Sequence, residues 1–97
     1  MSLYEVYRGR ERAILVAVDT DGTGEQSIEE LEQLADTAGA DTVHKVIQRR
    51  QSPDSATYVG RGKAEEIAYA AEELDADIII FDDELSAAQI RNLEEII

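Results

Sequence analysis

The chain has 97 residues, 43% of them hydrophobic, with 22 acids against nine bases, a net charge of −13 and no cysteine. That length supports one domain with a real core, in which folding buries on the order of 60–65% of the unfolded surface. The composition argues against disorder and leaves no disulfide or thiolate metal site, and the longest apolar runs, Ala13–Val18 and Ile78–Phe81, fall far short of the ~20 residues of a membrane span.

No secretory pattern opens the chain, and the lack of cysteine fits a reducing cytoplasm. No membrane partner is expected. Acid-rich composition with only two lysines is the pattern of a halophile's protein, because concentrated salt shrinks the Debye length to ~3 Å and screens self-repulsion. A melting temperature that rises with molar KCl is the expected result.

Residues 1–11 lack a clean pattern and read as a flexible N-terminal segment ahead of a domain spanning 12–97. Arg12–Asp19 (RAILVAVD) is a continuous apolar run, the mark of a strand buried on both faces. After a loop at Asp21–Gly24, Ser27 and Glu30 form a capping box for a helix with Ile28, Leu31, Leu34, Ala35 and Ala38 inward, ended by Gly39. Asp41–Arg50 alternates weakly and reads as a second strand. Gln51–Ser55 is loop, Ala56–Val59 a short third strand, and Gly60–Gly62 a turn into a helix over Lys63–Leu74, with Ile67, Ala68, Ala71 and Leu74 inward.

Asp77–Asp82 (DIIIFD) reads as another doubly buried strand. Ser86 and Gln89 form a second capping box, with Leu85 stapled against Ile90. That helix has no stop signal before Ile97, so the chain is expected to be the front piece of a longer protein. The order β-α-β-β-α-β-α predicts an α/β fold: a small, mostly parallel, four-stranded sheet with helices on both faces.

Charge is segregated along the chain. Val43–Lys63 holds five bases (Lys45, Arg49, Arg50, Arg61, Lys63) against one acid (Asp54), a local +4 that leaves −17 to the rest. Arg49, Arg50, Arg61 and Lys63 lie at strand-to-loop junctions, where binding residues concentrate. This predicts a basic face on an anionic body, and pairing with neighbouring acids is the competing expectation.

Three other patterns carry weaker signals. VDTDGTGE (Val18–Glu25) resembles the nucleophile motif of haloacid-dehalogenase-type phosphatases, with Asp19 attacking, Asp21 as general acid, a Mg²⁺-binding pair in IIIFDDE and Lys63 as counter-charge. The stretch Asp19–Glu30 also mimics a calcium loop, but a strand precedes it and Gln26 stands where an apolar residue belongs. Gly60-Arg-Gly-Lys63 opens a helix and could hold an anion. It is no nucleotide P-loop, because Thr57 and Ala64 stand where glycine and Ser/Thr are required. His44 has no second ligand nearby. Tyr58 either stacks on a base or packs at the sheet's edge.

Longer phrases resemble one family. TAGADTVHKVIQRR (Thr37–Arg50), PDSATYVGRGKAEEI (Pro53–Ile67) and ADIIIFDDELSAAQIRNLE (Ala76–Glu94) are similar to the N-terminal domain of HflX-type ribosome-associated GTPases. The resemblance implies a parent in which this domain precedes a helical hairpin and a P-loop GTPase domain that uses GTP and Mg²⁺. It further implies docking on rRNA of the large ribosomal subunit and regulation of the parent's own GTPase domain, with no cofactor in this segment and no catalytic residue. On that basis Arg49, Arg50, Arg61 and Lys63 are expected to contact rRNA phosphates, Tyr58 is a further RNA-contact candidate, and Tyr58, Gly60 and Gly62 are expected to shape the turn.

Overall fold

The computed structural model describes residues 10–97, so residues 1–9 of the expected N-terminal segment lie outside the described residues. Arg10 and Glu11 lie inside. Arg10 donates to the carboxylates of Asp41 (2.7 Å) and Asp36 (2.5 Å), and Glu11 already belongs to the first strand.

The elements are β1 (Glu11–Asp19), α1 (Gly24–Thr37), β2 (Ala40–Arg49), α2 (Arg61–Glu73), β3 (Ile78–Phe81) and α3 (Ala87–Ile96). The sheet has three strands in the order β2-β1-β3, with β1 parallel to both neighbours. β1 is the central strand, which explains its unbroken apolar run: Ala13 to Ala17 are all at most 2% exposed. One face packs Ala13, Leu15 and Ala17 against Ile28 and Ala35 of α1. The other packs Ile14 and Val16 against Ala64 and Ile67 of α2 and Leu93 of α3. Helices therefore cover both faces, as right-handed crossovers running in opposite directions require, the first from β1 to β2 and the second from β2 past β1 to β3.

The expected fourth strand does not form. Ala56–Val59 sits in a loop whose one ladder feature is an isolated antiparallel bridge between Asp54 and Tyr58. Two local features divert it. The Asp54 carboxylate accepts the Ala56 and Thr57 N–H groups at 2.8 and 3.0 Å, removing donors that a strand would use. Tyr58 has φ +65°, outside the extended region.

Other expectations shift for similar reasons. α1 begins at Gly24 rather than after Ser27, and the Ser27 hydroxyl instead donates to the Asp82 carboxylate beyond β3 (2.5 Å). Leu34 is 67% exposed, because α1 spans only β2 and β1. The weak alternation of β2 reflects a bulge: Ala13 faces Thr42 while Ile14 faces His44, leaving Val43 unpaired. α2 starts two residues early, at Arg61, and ends with Asp75 at φ +51°, where the Ala76 N–H reaches the Ala71 carbonyl (2.9 Å). That is a Schellman stop with aspartate in the place glycine usually takes. β3 is less buried than its sequence suggests, with Ile78 37% exposed, because it lies at the edge of the sheet. The α3 capping box forms as expected, Gln89 N–H to Ser86 Oγ at 3.1 Å and Ser86 N–H to Gln89 Oε1 at 2.8 Å.

Candidate functional site

All three strands deliver their loops to one end of the sheet, the end where ligands bind in open α/β folds. Three segments meet there: the turn after β1, the loop Arg50–Gly60, and Asp82–Ser86 leading into α3.

The Arg50–Gly60 loop is a closed hydrogen-bonded unit. Besides its carboxylate bonds, Asp54 exchanges both backbone hydrogen bonds with Tyr58 (2.8 and 2.9 Å). Its carboxyl group is held below the usual carboxylate range by the Ala56 and Thr57 N–H donors, with Arg50 adding to the effect. The Val59 N–H bonds the Thr57 carbonyl (2.7 Å) across Tyr58, forming a γ-turn of the rare positive-φ kind. Two side chains of α3 then pin the loop from outside: Gln89 Nε2 donates to the Asp54 carbonyl (2.8 Å) and Asn92 Nδ2 to the Ala56 carbonyl (2.9 Å). The PDSATYVG and LSAAQIRNLE phrases are the two halves of one joint.

Tyr58 is core. It is 2% exposed and meets Phe81 edge-on at 5.6 Å between ring centroids. Its hydroxyl oxygen accepts the Val18 N–H (3.3 Å), standing in at a level of β1 that the short β3 does not reach. Burial pushes its own pKa up. Of the two roles open to this ring in the sequence, stacking on a base or packing, its burial matches packing.

Gly60 has a similarly local purpose. Its N–H donates to Gln48 Oε1 (2.9 Å), and a Cβ there would stand 3.0 Å from Arg50 Nη1, so glycine admits both side chains against the start of α2. The anion reading of the Gly60–Lys63 turn loses this donor to Gln48. Around Gly62 a Cβ would meet nothing within 4 Å, so no close approach there demands glycine.

The four arginine and lysine candidates sit at the end of β2 (Arg49, Arg50) and in the first turn of α2 (Arg61, Lys63), and they do not share one flat face. Lys45 binds Glu32 of α1 (2.5 Å), whereas Val46 packs into the α2 side. By strand alternation Arg49 follows Lys45 to the α1 side. Arg50 reaches the other way, toward Gly60. Three of the four stand beside nearby acids, one inside the basic stretch and two just beyond it: Arg50 lies 3.9 Å from Asp54, Arg61 3.8 Å from Glu65, and Lys63 2.7 Å from Glu66. Arg49 has no acidic partner among the described residues. Exposed pairs of this kind are worth about 0–1 kcal/mol each, weak enough for a phosphate to compete.

The phosphatase constellation is not assembled. Asp19 Oδ1 accepts the N–H groups of Asp21 (3.1 Å) and Gly22 (2.7 Å), closing the turn after β1. Asp21 in turn accepts the Thr23 hydroxyl and N–H, which holds its pKa below the usual value. Lys63, the supposed counter-charge, lines a cavity with His44 and Lys45 at the outer side of β2. Among the described residues no three His, Cys, Asp or Glu side chains are grouped to hold a metal ion, and no helix is long and apolar enough to cross a membrane.

Residues 25–97 match the family model described as GTP-binding GTPase N-terminal. The chain belongs to that family. It is 52% identical over 94 residues to the GTPase HflX of Lacrimispora saccharolytica, covering 95% of this chain and 22% of that protein. It is 42% identical over 91 residues to the GTPase HflX of Caldanaerobacter subterraneus, covering 94% and 21%. Against the GTPase HflX of Escherichia coli the figures are 35% over 95 residues, 97% and 22%. The chain thus spans about a fifth of the length of these curated relatives, and is an α/β N-terminal domain of the HflX kind.

Proposed function

We propose that this domain is the ribosome-docking and regulatory head of a GTPase, binding large-subunit rRNA while a separate domain of the parent hydrolyses GTP with Mg²⁺. The observation that carries the reading is the rim at the end of β2. There Arg49 ends β2, Arg50 opens a loop hydrogen-bonded to α3, and Arg61 and Lys63 lie in the first turn of α2, which supports a group of cations on an otherwise anionic body. Arg49 and Arg61 are exposed, and Arg50 and Lys63 are half-buried. Cations splayed about a corner suit a curved phosphate backbone better than a flat surface. The loop's pinning to α3 gives the rim a fixed relation to the C-terminal side of the domain, the route by which docking is felt by the rest of the parent.

The test is sedimentation of the parent protein with large ribosomal subunits across a salt series. Replacing Arg49, Arg50, Arg61 and Lys63 with glutamate is expected to weaken binding and to flatten the slope of log K against log salt by about 3–4, at ~0.7–0.9 for each phosphate no longer neutralised. Unchanged affinity and slope in the quadruple variant would refute the assignment.

A further inference from the structure

We propose that the outer edge of β2 is a strand-addition site for an extended acidic segment of a partner protein, recognised as acid, apolar and acid at alternate positions. Among the described residues β2 pairs with β1 alone. The Arg50 N–H donates to the Asp19 carbonyl of β1 (3.1 Å), so by alternation the amides and carbonyls of His44, Val46 and Gln48 also face β1. Those of Lys45, Ile47 and Arg49 face outward. The bulge at Val43 makes the first half of the strand irregular, whereas His44 to Arg49 runs in unbroken register with β1. That straight half presents the main-chain donors and acceptors that an added peptide strand uses.

The side chains along this edge decide what can be added. On the α1 face Lys45, Ile47 and Arg49 follow at every second position, and all three are exposed. Ile47, 37% exposed, is thus an apolar contact flanked by two bases. Lys45 meets Glu32 (2.5 Å), and Arg49 has no acidic partner among the described residues. On the α2 face a cavity of about 210 Å³ lies against the same edge, lined by His44, Val46, Lys63, Glu66 and Ile67 among others. Its Lys63 is engaged by Glu66 (2.7 Å). Such pockets for alternate side chains are what give strand addition its specificity.

Charge selects the occupant. Basic side chains on an edge repel further strands of like charge, and here they work against a second copy. A two-fold antiparallel pairing centred on Ile47 would set Lys45 opposite Arg49 of the other copy, and each copy carries a net charge of −13. An acidic strand reverses the sign: carboxylates facing Lys45 and Arg49 form cross-strand ion pairs, and an apolar residue between them covers Ile47. A phosphate backbone would meet the bases but offers no donor to the outward carbonyls and nothing apolar to Ile47. The site therefore goes beyond rRNA docking, although it shares Arg49 and Lys63 with it.

The test uses the full-length parent protein, nuclear magnetic resonance and a terminally blocked heptapeptide of alternating threonines, with glutamate, valine and glutamate at the second, fourth and sixth positions. At peptide roughly tenfold above its Kd, the Lys45, Ile47 and Arg49 amides should exchange about tenfold more slowly. The Val46 and Gln48 amides, already bonded to β1, should keep their rates. Replacing Lys45 and Arg49 together with glutamate should weaken binding about tenfold while the β1 amides stay protected. No binding at millimolar peptide, equal binding by a version with lysine for glutamate, or slowing spread evenly along β2 would overturn the inference. So would slowing of the outward amides as the protein alone is concentrated, the sign of a second copy, or stronger slowing by oligouridylate than by peptide, the sign of a nucleic-acid edge.

Discussion

The turn after β1 and the loop after β2 each fold around one aspartate carboxylate, yet only the second is tied into the rest of the molecule. Asp19 accepts the N–H groups two and three residues ahead, and Asp54 does the same. From there they diverge. The first turn stays at the surface, with Asp21, Gly22 and Thr23 exposed. The second sends Tyr58 into the core and receives Gln89 and Asn92 from α3. An acid-led turn is a simple local device, and what surrounds it decides whether it becomes a joint.

Tyr58→Ala should separate the two regions most sharply, destabilising by about 3–4 kcal/mol as a truncated buried aromatic, whereas Thr23→Ala in the first turn should stay within about 0.5 kcal/mol. Urea denaturation of both variants checks the contrast, and equal effects would erase it. Gly24→Ala probes how tightly the first turn closes on its own aspartate, since a Cβ there would stand 2.8 Å from the Asp19 Cβ. A loss of about 1–3 kcal/mol is expected despite alanine's better helix propensity, measured by thermal melting.

Gln89→Ala removes both the α3 capping bond and the bond to the Asp54 carbonyl. It should cost about 1–2 kcal/mol and speed amide exchange at Ala56 and Thr57 before it affects β1. The smallest effect concerns pH. Because Asp54 has a depressed pKa in the folded state, its contribution is present above the unfolded carboxylate value of ~4 and is lost as pH falls through the folded value. Asp54→Asn should therefore flatten the acid limb of the stability curve below about pH 4, as read by urea midpoints at pH 2–5, while leaving the slope near neutrality unchanged.

The elements most legible in advance were those with a strong local signal. β1 announced itself by six apolar residues in a row, and α3 by the Ser86–Gln89 box. The supposed third strand misled because Ala-Thr-Tyr-Val has strand-like composition, while the feature that overrides it, the Asp54 carboxylate holding two N–H groups, is visible only once the chain bends. Ser27 misled for the opposite reason. The Ser-x-x-Glu spacing is there in the sequence, but the helix begins at Gly24 and the Ser27 hydroxyl donates to a carboxylate at Asp82, 55 residues away. The basic stretch was plain in the charge count. Its division between two sides of β2, and the acids from α1 and α2 that stand beside it, depended on register and packing.

Sequence alone settled the family, the α/β class and the doubly buried first strand, because each is written in contiguous patterns that short-range physics reads directly. Only the tertiary structure decided that Tyr58 belongs to the core, that the two signature phrases grip each other, and that β3 stands at an edge. Those outcomes rest on contacts between residues 30 to 40 or more positions apart, as in Val18 with Tyr58, Asp54 with Gln89 and Ala56 with Asn92. No local propensity encodes such contacts, and they form only when the whole sheet and its helices close together.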